Sequence, residues 1–465
     1  MPESSVMTAQ QKIAKPAKAP LVGEKLLTTP ILSTLLSLTI PNTIAMLATA
    51  LAAVAETAYV GRLGVEPLAA MALAFPMVML MQMMSAGAMG GGVSSAVSRA
   101  IGAGDIPRAN ALALHAIAIA VIAAACFTLF FLTLGPAIYR LLGGSGGALQ
   151  QAVIYSNMLF AGALAIWLFN TLASVLRGTG NMAMPSLLGL LLAGFQVLLG
   201  GFLGLGFGDF EGFGIIGLAI AQVAAFGLAA LVLLWYLISG RSRLVLRFSG
   251  VPFQRAMFLD ILKVGAVSCL SPLQSVLTVL IFTGLVARFG TEALAGYGIG
   301  ARLEFLLVPI AFSVGVASVP MVGMAVGAGA IARARRVAWT AGAVAATALG
   351  LIGLVVVIAP ESWSGLFTRD PAVLEAARQY LTAAGFGFPF FGVGLCLYFA
   401  SQGAGRIVGP VLTATIRLVL VAAGGWWLTQ IGAPVWTLFA LAGVAMAAYG
   451  LATAATVYFT DWSKK

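Results

Sequence analysis

The stretch Ile31–Gly64 reads ILSTLLSLTIPNTIAMLATALAAVAETAYVGRLG and decides the fold class. It is apolar or small almost throughout, and it exceeds the roughly 20 helical residues that cross a hydrocarbon core. One carboxylate, Glu56, lies inside it. A charged side chain at mid-bilayer costs about 2.5–3.5 kcal/mol on insertion scales, which makes Glu56 a functional candidate. The alternative places Glu56 among the outer headgroups, because the next charge, Arg62, follows after about 9 Å of helix rise.

The same apolar character extends over the whole chain. Of its 465 residues, 61% are hydrophobic and 8% are charged, whereas a soluble domain carries about 25% charged residues. Lipid must therefore be the solvent for most of the surface, and we predict an all-α integral membrane protein. The predicted transmembrane helices are twelve, near 31–60, 67–92, 110–135, 153–176, 185–207, 213–239, 259–287, 293–325, 337–360, 379–401, 409–430 and 434–459.

The loop charges predict the orientation. The two tails and the even-numbered loops hold 18 of the 25 lysines and arginines, and the odd-numbered loops hold 6. By the positive-inside rule both termini are cytoplasmic. The polar N-terminal tail has no cleavable signal pattern. Because the basic residues lie in short loops, the net charge of +11 does not indicate a nucleic-acid partner.

The chain also repeats itself at a nearly constant offset of 225 or 226 residues. Three matches in the same order predict two lobes of six helices, related by a pseudo-twofold axis along the membrane normal, which is a transporter architecture. The matching pairs are Arg62–Ala70 with Arg288–Gly296, Ile101–Ala109 with Val326–Ala334, and Gly178–Pro185 with Gly403–Pro410.

These patterns divide the chain into five parts. We predict a cytoplasmic tail over 1–28, an N-terminal lobe over 29–239 and a C-terminal lobe over 259–460. The basic segment 240–258 joins the lobes at the cytoplasmic surface, where an amphipathic piece could lie on the membrane. Residues 461–465 form a second cytoplasmic tail.

The chemistry points to transport rather than to catalysis. No GxxxxGK[ST] phosphate loop is present, so ATP hydrolysis is not supported. An intramembrane enzyme needs paired acids, a Ser/His set or metal ligands, and the chain offers one histidine, His115, and three scattered cysteines. We expect His115 to be packed or to face the lumen rather than to act as a ligand, and we expect no cofactor and no metal site. Glu56 is the candidate that exchanges a proton, or a sodium ion, as its surroundings change.

Span two is rich in methionine, a flexible side chain that accepts varied apolar partners. We name Met81 and Met84 as candidates for a substrate-contacting wall, although the near-alternate spacing also fits ordinary membrane packing. Arg302, Glu304 and Gln274 form a second group of candidate site residues in the C-terminal lobe. We expect Arg302 to neutralise Glu304 locally.

Several motifs resemble the multidrug and toxic compound extrusion (MATE) family, from about Pro30 to Tyr458. The resemblance implies twelve helices in two lobes, a V-shaped central cavity, and export of drugs against proton or sodium entry. It rests on Glu56–Gly64, Gly102–Gly104 with Gly327–Gly329, Arg177–Asn181 with Pro185, and Gln402–Arg406 with Pro410.

The family's site residues carry over only in part. The resemblance implies an acid at Glu56, where relatives usually have aspartate. It places Gln196 and Gly200 where the family commonly has asparagine and aspartate, and Gln222 where it commonly has threonine. The resulting network is one acid with two amides: Glu56, Gln196 and Gln222. Arg302-Leu303-Glu304-Phe305 is similar to the DinF-type branch.

Our leading hypothesis is a monomeric secondary exporter of amphipathic, cationic small molecules in a bacterial inner membrane, with membrane lipids around it. A lipid or lipid-linked oligosaccharide flippase is the nearest rival, but it calls for more embedded cations than Arg417, which we expect to extend toward the cytoplasmic face. A membrane scaffold or receptor is the rival from another class. It would need no acid in span one.

Overall fold

The computed structural model describes residues 26–246 and 252–463, and within these ranges the chain is helical, without strands. Helices long and apolar enough to cross a membrane number eleven, or twelve when one bent pair is counted as a single span. We number them α1 Ile31–Leu63, α2 Val65–Gly102, α3 Ile106–Leu141, α4 Gly146–Gly178, α5 Ala183–Leu205, α6 Ile215–Ile238, α7 Arg255–Phe289, α8 Thr291–Gly327, α9 Ile331–Ile358, α10 Pro371–Ala404, α11 Val408–Gln430 and α12 Val435–Phe459.

The twelve predicted spans are confirmed in number and order. The bend in α4 was not predicted: this span consists of two pieces, Gly146–Ala161 and Ala163–Gly178, which meet at an angle of 47°. A short extra helix, Glu361–Ser364, follows α9. Three predicted features fall wholly or partly outside the described residues, namely the N-terminal tail, the centre of the inter-lobe segment and the last two lysines.

Capping residues explain where two of the long helices, α3 and α10, begin. Asp105 accepts a hydrogen bond from the backbone N–H of Arg108 at 2.9 Å, and proline occupies the first turn of α3. Asp370 caps α10 in the same way, through the N–H groups of Ala372 and Val373. Side-chain oxygens at these positions satisfy backbone donors that a helix start leaves unpaired.

The hydrophobic core is shared at one end of the molecule and divided at the other. We call the end where α2 and α8 finish the basic end, because it carries Arg99, Arg108, Arg333 and Arg335. There a single cluster of buried side chains combines the last turns of α2 with those of α8 and α10. At the opposite end one cluster contains only residues of α1–α6, and another only residues of α7–α12. The two six-helix lobes are therefore packed together at the basic end and separated at the other.

The sequence repeat appears in space as a reciprocal contact between α2 and α8. A Cβ atom on Gly102 would lie 2.1 Å from the carbonyl oxygen of Met324, and a Cβ on Gly327 would lie 2.1 Å from the carbonyl oxygen of Arg99. Each residue of the first pair is related to one of the second by the repeat offset of 225. Only glycine permits this backbone approach, so the repeated glycines bring the two lobes together across their pseudo-twofold axis.

Candidate transport site and coupling acid

A cavity of about 460 Å³ lies between the lobes, with walls from α2, α7, α8, α10, α11 and α12. Ligand pockets commonly measure about 300–1,000 Å³ and are largely apolar with a few polar groups. Here the apolar wall includes Phe75 from the N-terminal lobe and Phe305, Phe312 and Phe391 from the C-terminal lobe. The cavity is therefore suited to a drug-sized molecule with aromatic or aliphatic faces.

The methionines on this wall are not the two named from the sequence. Met79 and Met83 line the cavity, whereas Met81 is completely buried in the shared core and Met84 is not on the wall. Side chains two residues apart point to nearly opposite sides of a helix. In addition, α2 is a π-helix over Met83–Met89, which changes the register of the faces there.

Two charged side chains line the cavity, Glu304 on α8 and Arg417 on α11. The Glu304 carboxylate accepts a hydrogen bond from the hydroxyl group of Tyr380. Contrary to the expectation from the sequence, Arg417 does not extend to the basic end of the molecule. Its guanidinium lies over the rings of Phe391 and Tyr449, with centroids at 5.4 and 5.9 Å.

The other two C-terminal candidates lie away from the cavity wall. Arg302 is exposed, and its guanidinium lies 5.2 Å from the ring centroid of Phe367. It does not neutralise Glu304, because side chains two residues apart point to nearly opposite sides of α8. The partner of Glu304 comes from α10. The amide of Gln274 donates to the hydroxyl of Thr415 at 2.7 Å and so joins α7 to α11.

Glu56 lies inside the N-terminal lobe and not on the wall of the cavity. Its side chain is only 6% exposed, and its Oε1 accepts a hydrogen bond from Nε2 of Gln196 at 2.7 Å. The pair lies where α1 and α5 pack together, so the carboxylate contacts protein rather than the surface of the helix bundle. A buried polar pair of this kind persists because each group satisfies the other.

The other two first-lobe positions of the predicted network, Gln222 and Gly200, do not contact Glu56 through a hydrogen bond. Gln222 is buried on α6, but in the described part of the chain it makes no hydrogen bond with Glu56 or Gln196. Gly200, where relatives commonly have aspartate, faces α6, and a Cβ there would lie 3.2 Å from the side chain of Leu218. The structure therefore brings together one acid and one amide.

An ion-pair cluster that the sequence did not predict joins the lobes at the basic end. Asp260, near the start of α7, pairs with Arg99 of α2 at 2.7 Å and with Arg108 of α3 at 2.8 Å. The available signal was that Arg99 and Arg108 belong to the second loop and Asp260 to the start of predicted span seven, which lie on the same predicted side of the membrane.

Gln402 of α10 forms a second link between the lobes, just inside the ion pairs. Its amide donates to the backbone carbonyl of Gly87 in α2 at 3.2 Å and, within the C-terminal lobe, to the hydroxyl of Ser268 at 2.9 Å. The hydroxyl of Ser95 donates to the backbone carbonyl of Gln402. Together with Asp260, these bonds close the cavity at the basic end.

His115 holds the segment that connects the lobes. Its Nδ1 lies 2.7 Å from the carbonyl oxygen of Ala111, and its Nε2 accepts a hydrogen bond from the backbone N–H of Gln254 at 2.9 Å. The ring also packs edge-on against Phe253 and Phe258, at 5.1 and 4.6 Å. The imidazole is thus a packed, hydrogen-bonded group.

Comparison with known proteins shows which family the chain belongs to. The family model described as MatE matches residues 41–201 and 268–427, once in each half of the chain. A protein named FAD transporter from Shewanella oneidensis is 26% identical over 397 residues, which are 85% of this chain and 87% of that protein. A probable multidrug resistance protein NorM from Thermotoga maritima is 23% identical over 366 residues, 78% of each chain.

Solved structures show the same fold. A MOP superfamily transporter from Pyrococcus furiosus superimposes with a TM-score of 0.86 at 22% identity, over 94% of this chain and 99% of the other. An outward-facing multidrug resistance transporter of that superfamily gives a TM-score of 0.83 at 23% identity, over 94% and 96% of the two chains.

Proposed function

The chain belongs to the MatE family, and from this premise we propose that it is a multidrug efflux transporter that exports amphipathic, cationic molecules in exchange for protons. As a member of this family it is a transporter and not an enzyme. The Thermotoga relative, a probable multidrug resistance protein, supports drugs as the class of substrate. The observation that carries the proposal is the cavity between the lobes, which is closed at the basic end and carries few polar groups on an apolar wall.

The cavity chemistry supports cationic amphipathic substrates. Aromatic faces attract cations, by about 0.5–2 kcal/mol for each well-placed contact. The carboxylate of Glu304 provides an opposite charge on the same wall. Flexible Met79 and Met83 suit partners of varied shape.

We propose Glu56 as the coupling residue, separate from the substrate cavity. The amide of Gln196 donates its N–H to the carboxylate. A sodium site needs several oxygen ligands around the ion, because hard cations prefer oxygen, and the amide turns its donor toward Glu56 instead. This arrangement favours a proton as the exchanged ion.

The direction of export follows from the predicted orientation. If the basic end faces the cytoplasm, the closed lobes place the structure in an outward-facing state. Substrate would then leave when Glu56 takes up a proton from outside. Both cytoplasmic termini, the bacterial inner membrane and the monomeric state belong to this proposal.

The experiment is counterflow in liposomes with proton and sodium gradients imposed separately. We expect a fluorescent cationic dye to move against a proton gradient, and Glu56→Gln to abolish this movement while the protein remains folded. Glu56→Asp, which restores the family's usual acid, should retain exchange. Glu66→Gln, at an exposed acid on the same lobe, serves as the control.

Two results would contradict the proposal. Full gradient-driven movement by Glu56→Gln would remove this residue from coupling. Movement driven by sodium alone would replace the proton as the exchanged ion.

The relative named FAD transporter makes an aromatic dinucleotide a second candidate cargo. The same liposomes loaded with FAD would test it. Export of FAD without export of cationic dyes would favour this narrower function over multidrug efflux.

A further inference from the structure

Arg417 occupies an unusual place for a cation in this molecule. It lies in the apolar part of α11, and its side chain is part of the cavity wall. Phe391 and Tyr449 support the guanidinium from the C-terminal lobe. These rings orient the group but supply no negative charge.

Among the described residues, no carboxylate forms a direct ion pair with this guanidinium, and Glu304 interacts with it only through space. Three ion pairs join described residues to one another, and none of them includes Arg417. Glu304 is the one acid on the same wall, and its carboxylate accepts the hydroxyl of Tyr380. An unpaired charge in an apolar cavity is costly, and the planar guanidinium matches a carboxylate or phosphate in a two-point contact.

We propose that Arg417 is an anion-binding subsite that takes the carboxylate or phosphate group of an aromatic substrate. This inference rests on the proposed export function and narrows its substrate class. Glu304 and Arg417 place opposite charges on one aromatic wall, so the cavity accepts aromatic zwitterions as well as simple cations.

The test uses two rhodamine dyes that differ in one group, a free benzoate in one and its methyl ester in the other. The purified full-length protein is titrated with each dye by fluorescence polarisation, and both dyes are then used in counterflow. We expect Arg417→Gln to weaken binding of the free acid by about 10- to 100-fold, the range for a lost hydrogen bond to a charged group. The ester should change by less than about threefold on the same scale.

Two further variants make the comparison specific. Arg417→Lys keeps the positive charge but not the planar fork, so it should restore part of the preference for the acid. Arg288→Gln, at an exposed arginine at the end of α7, removes the same charge away from the cavity and should leave both dyes unaffected.

The outcomes separate this inference from the function on which it rests. If neither dye moves under a gradient, the export function fails. If the ester moves but the acid does not, or if Arg417→Gln weakens both dyes equally, the anion subsite fails. Loss of acid binding in vesicles rich in phosphatidylglycerol, but not in phosphatidylcholine, would assign Arg417 to a lipid phosphate and overturn the aromatic ligand.

Discussion

At the scale of single residues, Glu56 and Glu304 have different surroundings. Glu56 is enclosed within one lobe and meets an amide, whereas Glu304 lies on the cavity wall and meets a phenol. The first arrangement suits proton exchange away from the substrate, and the second suits direct contact with it.

The contribution of the Glu56–Gln196 hydrogen bond to the free energy of unfolding can be measured with substitutions. Gln196→Leu should lower the free energy of unfolding by about 1.5–3 kcal/mol when Glu56 is charged, because hydrogen bonds to charged groups are in this range. In a Glu56→Gln background the same substitution should cost about half as much, because the bond is then neutral. Thermal unfolding of the four proteins measures the difference, and equal costs in both backgrounds would mean that Glu56 is already neutral or unbonded.

Glu304 should contribute to binding of cations. Glu304→Gln removes the negative charge on the cavity wall and is expected to weaken binding of a cationic dye by about tenfold, which corresponds to roughly 1.4 kcal/mol. Fluorescence polarisation with the rhodamine ester measures this. Tyr236→Phe, a hydroxyl removed from α6 away from the cavity, is the control, and unchanged binding in Glu304→Gln would exclude a substrate contact.

Sequence reasoning identified Glu56 because a carboxylate in an apolar segment is conspicuous without any structure. It listed Glu304 but assigned Arg302 as its partner, since sequence neighbours suggest pairs that helix geometry does not make. The partner, Tyr380, comes from a helix about 76 positions later, and no local pattern indicates that distance. Met79 and Met83 were missed for a similar reason, because the π-helical turn of α2 affects which of its side chains face the cavity.

At the scale of helices, the repeated glycines were visible as motifs, but their partners were not. Gly102 and Gly327 each belong to a repeated small-residue turn. Only the packing of α2 against α8 shows that the two turns meet each other. Hydropathy located the spans but not their ends, because α2 runs over 38 residues, Val65–Gly102, where 67–92 was predicted. The bend in α4 depends on neighbours that hydropathy does not report.

Because α2 and α8 approach closely where they cross, adding one methyl group there should lower the free energy of unfolding. Gly102→Ala places a Cβ against a backbone carbonyl at 2.1 Å, and overpacking typically costs about 1–3 kcal/mol. Gly327→Ala should cost a similar amount, because its contact is equivalent. Gly194→Ala, where no atom lies within 4 Å, should leave the unfolding temperature in detergent unchanged or higher. Equal unfolding temperatures for all three variants would show that the lobes can separate at this crossing without loss.

At the scale of the whole molecule, the ion pairs of Asp260 stabilise the arrangement that is closed at the basic end, which is one of the two forms in the proposed alternating access. They join α7 to α2 and α3 across the lobes at the basic end. Both pairs are partly exposed, so each contributes modestly and weakens with salt.

Asp260→Asn should therefore shift the population toward a form that is open at the basic end. A loss of about 1–2 kcal/mol changes the ratio of the two forms by roughly 5- to 30-fold. Spin labels at Val65 and Arg288, on opposite lobes at the far end, would report the shift as a new shorter distance. Glu375→Gln, which removes an ion pair within α10, should leave the distances unchanged. An unaltered distribution in Asp260→Asn would mean that Gln402 and the shared core hold the basic end closed without it.

The reciprocal approach of Gly102 to Met324 and of Gly327 to Arg99 has the form of an isologous interface, in which two copies of one surface meet each other. Here the two copies belong to one polypeptide. The halves should therefore recognise each other without a covalent connection. When 1–246 and 252–465 are co-expressed as separate chains they should co-purify and exchange dye, and Gly102→Ala should weaken that assembly more than it weakens the intact chain.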